Sequence, residues 1–533
     1  MRKYALYILL TVLAGNWSAN LSAQHRWVSP DFVKSGLPFV MSQNPCGLLW
    51  MDSLNISEVS LGFNKQNGGL VNYHQSDDDF ELAAHAGSIY RFSPRIVLRG
   101  ALDYSLYKGQ HMSGSAFINP YSNAFDITEF DDAHQGDKKL ETYHVQAEIG
   151  YNLYRGLIVG GKFDLVSANY SKMKDLRHSN TYSNLQFNVG LAYRWNHHFS
   201  LGANYHYIKT IENIYFKRYS ISQKHYDVLI SSGSFWGKRK AYNEPIGMIS
   251  PQENPVINKY QGASLQLNYT PNRSVDFFLE GTFHARKGSY GIKSPTTIQY
   301  YKHDGNDFAL SLTSVMRPSA ATRHRLSLDF NSSVVTNYEN VYKEIIDENQ
   351  VSTVHYYDAV RMGKNTVSTF GLNYRGDWGI HENLPMWSTQ FNAQIVRSNS
   401  DSESYPYYRQ DKLAYITTSL EGERNIIHHA HLFTVRLVLG YHHGLKDYLY
   451  DGSHTAQPTQ VKPHTSEIMF NREREYLTSP RLTLSPTFRY SYKFRALTAY
   501  AEATYAYRKA MTELHYLSSS YQHTCNITLG ITI

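Results

Sequence analysis

The chain has 533 residues, of which 42% are hydrophobic and 18% charged, and its 52 basic and 45 acidic residues give a formal net charge of +7. An excess this small, dispersed along the chain, excludes the basic patch that nucleic-acid binding requires. Beyond the first 23 residues, no stretch approaches eighteen consecutive apolar residues, which excludes helical membrane spans.

The chain begins with the features of a secretory signal peptide. Arg2 and Lys3 precede an apolar run over residues 4–14, and Leu21-Ser22-Ala23 offers a cleavage site of small residues. An uncleaved anchor is the alternative, but about eleven apolar residues are too few where about twenty are needed to span a bilayer. We therefore expect residues 1–23 to be removed.

Residues 24–53 precede the first predicted strand and are rich in proline and aromatic residues. Such a segment could fold into a barrel lumen as a plug, with Asn44, Pro45, Cys46 and Gly47 as candidate plug residues. It could also pack beneath a barrel as a lead-in, and the sequence leaves both interpretations open. Thirty residues are too few for the large globular plug of a TonB-dependent receptor.

From residue 54 onward a single unit repeats, and no linker divides the chain. Apolar and polar residues alternate along a segment, a short turn follows, a second such segment returns, and a long polar loop intervenes. A period of two indicates strands whose two faces contact different surroundings. In nine of the clearest segments the apolar face carries no charged residue, whereas the opposite face carries fourteen.

The length and ends of these segments distinguish a membrane barrel from a soluble sandwich, which would also bury one uncharged face. The segments are long enough for a tilted bilayer crossing, many apolar faces end in Tyr or Trp, and short turns alternate with long loops. Closure would also satisfy the strand edges, which lipid cannot. The sequence predicts an all-β fold, a closed antiparallel transmembrane β-barrel over residues 54–533.

Eight short turns and nine long loops predict eighteen strands, with sixteen to twenty as the range because two strands are weak. We assign the short turns to the periplasm and the long loops to the extracellular side. The first strand, near residues 57–65, is expected to pair with the last, which ends at Ile533. The long loops are predicted at residues 66–79, 108–140, 171–182, 212–257, 287–304, 338–363, 399–411, 443–474 and 510–519.

The charged faces of the strands should line a polar lumen. Rings of charge there could select ions, or the charges could pair along the wall and stiffen it, as Arg99 with Asp103, Lys162 with Asp164 and Arg325 with Asp329. Eighteen strands would leave an aqueous channel unless it is plugged. The predicted lumen-lining residues are Arg99, Asp103, Glu148, Lys162, Asp164, Arg194, Asp276, Glu280, Arg325, Asp329, Arg436, Arg489 and Glu502.

No motif for chemistry stands out. The histidine pairs lie at predicted strand ends, where adjacent residues point to opposite faces, and glycine-rich phosphate loops are absent from the sequence. We expect no enzymatic activity, no catalytic residues, no metal and no cofactor. Cys46 and Cys525 are expected to be free thiols, since Cys525 shares the apolar face of the last strand while Cys46 precedes the first strand.

The stretch KDLRHSNTYSNLQFNVGLAYRWNHHFSLGANYHYIKTIENIYF resembles an outer-membrane barrel family of unknown function found in Bacteroidota, over nearly the whole mature chain. The resemblance implies a barrel in the outer membrane of a Gram-negative cell and no particular activity. Residues 42–48 are similar to the Asn-Pro-Ala pattern that opens the N-terminal hatch of the long-chain fatty-acid transporter family, with Cys46 in place of the alanine.

These features together predict passage of a small solute through the cell outer membrane, by a channel or transporter. The alternative is a non-conducting partner whose extracellular loops bind a surface assembly, a glycan or a neighbouring transporter. The partners we expect are outer-membrane lipid and lipopolysaccharide, the barrel-assembly machinery and the solute, but no nucleic acid.

Overall fold

The computed structural model describes most of the chain from residue 27 onward. The predicted signal peptide lies outside the described residues. No helix within the described part is long and apolar enough to cross a membrane. The described residues are 27–51, 55–217, 226–242, 247–294, 297–346, 348, 352–495 and 497–533.

Eighteen strands pair edge to edge into one closed antiparallel barrel, which confirms the predicted fold class and strand number. The barrel strands are β1 (Ile56–Asn67), β2 (Asp78–Ser93), β3 (Ile96–Met112), β5 (Gly136–Tyr154), β6 (Leu157–Lys172), β7 (Arg177–Arg194), β8 (Phe199–Lys217), β11 (Asn254–Asn272), β12 (Val275–Tyr290), β13 (Tyr301–Ser319), β14 (Thr322–Ile346), β15 (Ser352–Trp378), β16 (Trp387–Ser404), β17 (Tyr407–His428), β18 (His431–Ser453), β20 (Arg481–Phe494), β21 (Leu497–Ala510) and β22 (Tyr521–Thr532).

The barrel closes between its first and last strands. β1 pairs with β22 in antiparallel register, with Leu61 opposite Leu529. Beyond the last assigned strand residue, the Ile533 amide donates to the Ser57 carbonyl at 2.8 Å, and the Ser57 amide donates to the Ile533 carbonyl at 3.0 Å. The predicted pairing of the first and last strands is therefore confirmed.

The two faces of each strand lie in different surroundings. In β7 the Val189 side chain is 66% exposed, whereas its neighbour Asn188 is 1% exposed on the inner face. Apolar side chains cover the outer face, because the period of two directs every second residue outward. A row of exposed rings marks the short-turn end of the barrel, including Tyr154, Trp195, Trp387 and Phe494.

Three predicted loops are wrong, because the strands run on through them. Residues 171–182, 338–363 and 399–411 belong mostly to long strands, and the connection between β16 and β17 is only residues 405–406. Past the lipid-facing region a strand has no need of an uncharged face. The alternation therefore fades from the sequence there while the hydrogen-bond ladder continues.

The longest connections fold together inside the long-loop end of the barrel, although the sequence predicted them as polar loops. They form a second, four-stranded sheet and a helix, which together we call the insert. Its core contains Phe117, Phe125 and Val228, packed against barrel residues such as Tyr290. The insert comprises β4 (Asp126–Glu129), β9 (Asp227–Ser231), β10 (Trp236–Ala241), β19 (His464–Thr465) and α3 (Glu467–Thr478), with a 3-10 turn at Pro120–Ser122.

Residues 27–51, which we call the strap, lie inside the short-turn end of the barrel. The strap contains α1 (Pro30–Ser35), α2 (Pro38–Met41) and a 3-10 helix (Pro45–Trp50). Prolines begin all three elements, where a missing amide hydrogen costs nothing. Within residues 27–51 no strand forms, so the strap contributes nothing to the barrel ladder.

Candidate functional site

The strap follows the inner wall around much of the barrel. Trp27 packs against Leu384 in the turn after β15 and against Leu432 at the start of β18. Phe39 packs edge-on against Phe278 of β12, with ring centroids 5.3 Å apart. The Cys46 thiol lies 3.5 Å from the Ile158 carbonyl of β6. The strap thus contacts the wall at widely separated strands, from β6 to β18.

Inward-facing glycines make room for the strap. Gly150, Gly160 and Gly190 are direct register partners across β5, β6 and β7. A Cβ atom on Gly160 would approach the Cys46 amide nitrogen to 2.9 Å, and one on Gly190 would overlap the Asn44 side chain. Larger side chains would therefore hold the strap away from the wall.

Asn44 binds the strap to three wall strands at once. Its side-chain amide donates to the Leu191 carbonyl at 3.1 Å, the Ala203 carbonyl at 3.2 Å and the Gln266 Oε1 at 3.0 Å. Its Oδ1 accepts from the Cys46 amide at 3.0 Å, which starts the 3-10 helix. Pro45 fixes the backbone between them. The predicted plug residues therefore form the deepest anchor of the strap.

Four arginines of the wall hold carbonyl groups of the strap. Arg91 donates to the Met51 carbonyl at 2.5 Å, and Arg194 donates to the Leu49 carbonyl at 3.1 Å. Arg317 donates to the Gly36 carbonyl at 2.7 Å. The fourth, Arg323, donates to the Phe32 carbonyl at 2.6 Å. Hydrogen bonds from a charged donor are stronger than neutral ones, so these contacts act as latches.

The Arg323 latch is the most buried of the four. Its guanidinium stacks on the Phe32 ring at 3.5 Å from the centroid and pairs with Asp377 at 2.9 Å. The side chains of both partners are almost fully buried, at 6% and 1% exposure. Asp377 also accepts from Arg375 and Ser388, so its carboxylate stays compensated inside the barrel.

The wall above the strap carries ion pairs that differ from those predicted. Lys162 and Asp164 do pair, at 3.3 Å, but Asp103 contacts His85 and His144 instead of Arg99. Arg99 pairs with Glu148 at 3.5 Å. Arg325 donates a hydrogen bond to Asn373 at 3.0 Å, and Asp329 accepts one from Ser311 at 2.7 Å, so these two do not pair with each other. Side chains on neighbouring strands lie closer together than side chains two or four residues apart on one strand. The cross-strand contacts therefore form in preference to the predicted same-strand pairs.

The remaining predicted lumen residues also lie on the inner face. Arg194 and Glu280 contact the strap, since Glu280 accepts from the Gln43 amide at 3.3 Å. Asp276 pairs with the latch residue Arg317. Two further pairs bind neighbouring strands, namely Arg436 with Glu423 at 2.8 Å and Arg489 with Glu502 at 3.7 Å.

Two open recesses remain along this wall. One, of about 290 Å³, lies over the strap and is lined by Ser42 together with Glu280, Arg325 and Asp329 of the wall. The other, of about 250 Å³, lies beside the barrel seam and includes His85, Asp103 and His144. Both linings combine hydroxyl and charged groups with apolar side chains such as Phe278 and Tyr104, so each recess offers hydrogen-bonding groups beside apolar surface.

The sequence analysis missed the latches Arg91, Arg317 and Arg323. It also missed the row of inward-facing glycines Gly150, Gly160 and Gly190, which we call the glycine track. A signal for both existed. Each of these residues occupies the non-apolar parity of its strand near a short turn, where a glycine indicates close approach of another backbone. Strand parity identifies an inward-facing residue, but it does not identify the segment of the chain that packs against it.

The insert is joined to the barrel by buried polar contacts. Lys172 of β6 pairs with Glu129 of the insert at 2.5 Å, and both side chains are buried. Lys138 of β5, fully buried, donates to the carbonyls of Ser113 and Ser115 at 2.9 and 2.7 Å. The long-loop end is therefore narrowed by a packed unit rather than left under mobile loops.

Asp126 of the insert gives its stability a pH dependence. Burial raises the pKa of Asp126 from 3.8 to about 6, although Ser115 and Tyr73 donate hydrogen bonds to the carboxyl group. A raised pKa means that the stabilisation is complete below about pH 4 and is lost as the pH rises through about 6. We expect the free energy of local unfolding of the insert to be lower at pH 7 than at pH 4, by up to about 3 kcal/mol. Hydrogen exchange of residues 115–129, corrected for intrinsic rates, measures this, and Asp126→Asn should flatten the dependence.

The two cysteines are free thiols that differ in burial. Burial raises the pKa of the Cys46 thiol to about 12, while Cys525 is exposed on the outer face. Among the described residues, no three or more His, Cys, Asp or Glu side chains are grouped to hold a metal ion.

Comparison with known proteins places the chain by sequence in one family. The sequence model of a family of unknown function, DUF6850, matches residues 45–533. No curated protein matches the chain.

Solved structures that are similar to the chain include outer-membrane receptors and channels. They are the ferric preacinetobactin receptor BauA of Acinetobacter baumannii (8% identity, TM-score 0.41, 90% of this chain and 80% of that one), the TodX ΔS2S3 mutant monoaromatic hydrocarbon channel (11%, 0.31, 92% and 92%) and the outer membrane transporter YddB of Escherichia coli (6%, 0.38, 89% and 81%). Identities and TM-scores this low transfer no function.

Proposed function

We propose, for a chain that belongs to the DUF6850 family of unknown function, a role as an outer-membrane barrel that passes a small polar solute and is closed by its strap. The apolar band on the outer face and the exposed rings at the short-turn end support the membrane location, because lipid excludes charge and favours aromatic residues at its boundary. In this orientation the short turns and the strap lie at the periplasmic side.

The observation that carries the proposal is how the strap is attached. Side chains make most of its contacts with the wall, among them the four arginine latches and Asn44. The Ser29 amide also donates to the Asn383 carbonyl at 3.2 Å in the turn after β15, but no strand forms within residues 27–51. The strap can therefore leave without breaking the barrel ladder, whereas removal of a barrel strand would expose unpaired edges to lipid. Asn44 and Pro45 would then act as the hatch resemblance implies.

The polar recesses indicate the class of solute. Hydroxyl groups and charges of both signs line the space over the strap, and a polar solute could form further hydrogen bonds with them, whereas an apolar one could not. We infer that the solute is small, polar and hydrogen-bonding.

A second candidate is the non-conducting partner, and one observation favours it. The insert narrows one end while the strap closes the other, so the structure holds two barriers in series. In this alternative the barrel would serve as a platform for a surface assembly, a glycan or a neighbouring transporter.

Planar-bilayer conductance separates the two candidates. The variants are the wild type, a deletion of residues 27–51, and the same deletion combined with replacement of residues 115–129 by a short Gly/Ser linker. We expect low conductance for the wild type and a clear rise in at least one deletion variant. If neither deletion conducts while circular dichroism shows an intact barrel, the conducting role is wrong and the platform is favoured.

A further inference from the structure

The outer face of the barrel carries a cluster of three lysines that has no role in the proposed lumen. Three lysines, Lys209 of β8, Lys259 of β11 and Lys287 of β12, stand side by side on adjacent strands, and we call them the lysine triad. Lys259 is the direct register partner of both Lys209 and Lys287. Like charges placed directly opposite each other destabilise a sheet.

The triad faces outward. The neighbours on the same strands point into the lumen, where Asn258 and Arg286 hydrogen-bond to each other at 2.7 Å and Arg286 reaches the Ser122 carbonyl of the insert. Alternation therefore directs Lys259 and Lys287 away from the lumen. Both are exposed, and Lys209 is partly exposed.

The barrel itself provides no ion pair for this charge. In the part of the chain that the structure describes, none of the three ammonium groups lies within ion-pair distance of a carboxylate, although Asp304 is the register partner of Lys287. By contrast, three other lysines near the same rim each have a carboxylate partner: Lys65 with Asp78, Lys108 with Asp137 and Lys139 with Glu141.

The height of the triad is set by an aromatic row on the same three strands. Phe199, Tyr269 and Phe277 are also register partners, and their rings stack at 4.7 and 6.5 Å between centroids. Each lysine lies ten residues along its strand from the ring below it. Ten residues rise about 33 Å along a strand, and a tilt of about 40° reduces this to about 25 Å, the height of the apolar band.

We propose that the lysine triad binds the phosphate groups of a phosphorylated glycolipid in the outer leaflet. This inference rests on the membrane location in the proposed function and on its orientation, but not on conduction. The aromatic row marks one boundary of the apolar band, so the triad lies at the other, in the plane of the lipid headgroups. Phosphates there would neutralise the repulsion among the three lysines, which Asp304 opposite Lys287 offsets only in part, since lysine binds phosphate as a compact charge.

Lipid titration tests the proposal. Purified protein in neutral detergent is titrated with lipid A, with its dephosphorylated form and with inorganic phosphate. The triad variant, Lys209→Gln with Lys259→Gln and Lys287→Gln, is compared with a matched control that replaces Lys65, Lys108 and Lys139 by Gln. We expect wild type and control to prefer the phosphorylated lipid by at least about tenfold and the triad variant to lose that preference.

Three outcomes would overturn the proposal: an unchanged preference in the triad variant, equal binding of the dephosphorylated lipid, or saturable binding of inorganic phosphate alone. A single variant guards against misfolding as an explanation. Lys259→Gln should raise the melting temperature in lipid-free detergent, because it removes repulsion, and should reduce the rise that lipid A produces. A lower melting temperature without lipid would contradict the inference. Conductance tests the proposed function separately.

Discussion

Replacing Gly160 with valine is expected to release the strap and open the short-turn end of the barrel. The new side chain would occupy the space where the Cys46 amide lies, 2.9 Å from the position of a Cβ atom. Overpacking of this kind costs about 1–3 kcal/mol, and a cost near the middle of that range, about 2 kcal/mol, raises the population of the released strap about thirtyfold. Bilayer conductance should rise accordingly.

Labelling of Cys46 reports on the same release without reference to conduction. In a Cys525→Ser background, a water-soluble thiol reagent should modify the buried Cys46 slowly in the wild type and at least about tenfold faster in Gly160→Val. The control is Gly161→Val, one residue away on the outer face, where the nearest atom to a Cβ is Ile149 Cγ2 at 3.8 Å. If the two variants behave alike, the glycine track does not seat the strap.

Replacing Arg323 with alanine is expected to cause the largest loss of stability among single changes in the latches. The variant leaves the buried Asp377 with Arg375 and Ser388 but without its Arg323 partner. Removing one member of a buried pair costs about 3–5 kcal/mol when the other charge is left unpaired, so we expect a loss near the lower end of that range. It also removes the contacts to Phe32 and Ser35 of the strap. Denaturant unfolding in detergent measures the first effect, and Cys46 labelling measures the second.

Two comparisons separate the latch from the ion pair. Combining Arg323→Ala with Asp377→Asn removes the carboxylate that has lost its Arg323 partner, so it should restore part of the stability while the strap stays loose. Arg424→Ala is the matched control, because Arg424 stacks on Trp387 at 4.1 Å on the outer face near the same end. Equal losses in Arg323→Ala and Arg424→Ala would contradict the role of Arg323 as a latch.

Much of the fold could be predicted because the membrane imposes a local rule. Each lipid-facing position excludes charge on its own account, so segments such as β7 and β12 show their faces without knowledge of their partners. The same rule predicted the inner placement of Arg194, Asp276 and Glu280. It failed past the lipid boundary, where β14 and β15 extend through a predicted loop.

The site was predicted less well, because its contacts join residues far apart in the sequence. Asn44 and its neighbours were singled out, yet Asn44 binds wall atoms 147 to 222 positions away. Nothing in the local pattern indicates which carbonyl faces Arg323. The insert was missed for a related reason, since its short strands find their apolar partners in one another and on the barrel wall, at positions far apart in the sequence.

The sequence by itself determined that the chain forms a closed barrel, which residues face outward and how many strands there are, since alternation is a property of each segment alone. Only the tertiary structure decided what fills the lumen and which charges pair. Strand register places Asp103 beside His85 and His144, and it sets Lys259 between two other lysines. Register and curvature depend on all eighteen strands at once, and no single segment encodes them.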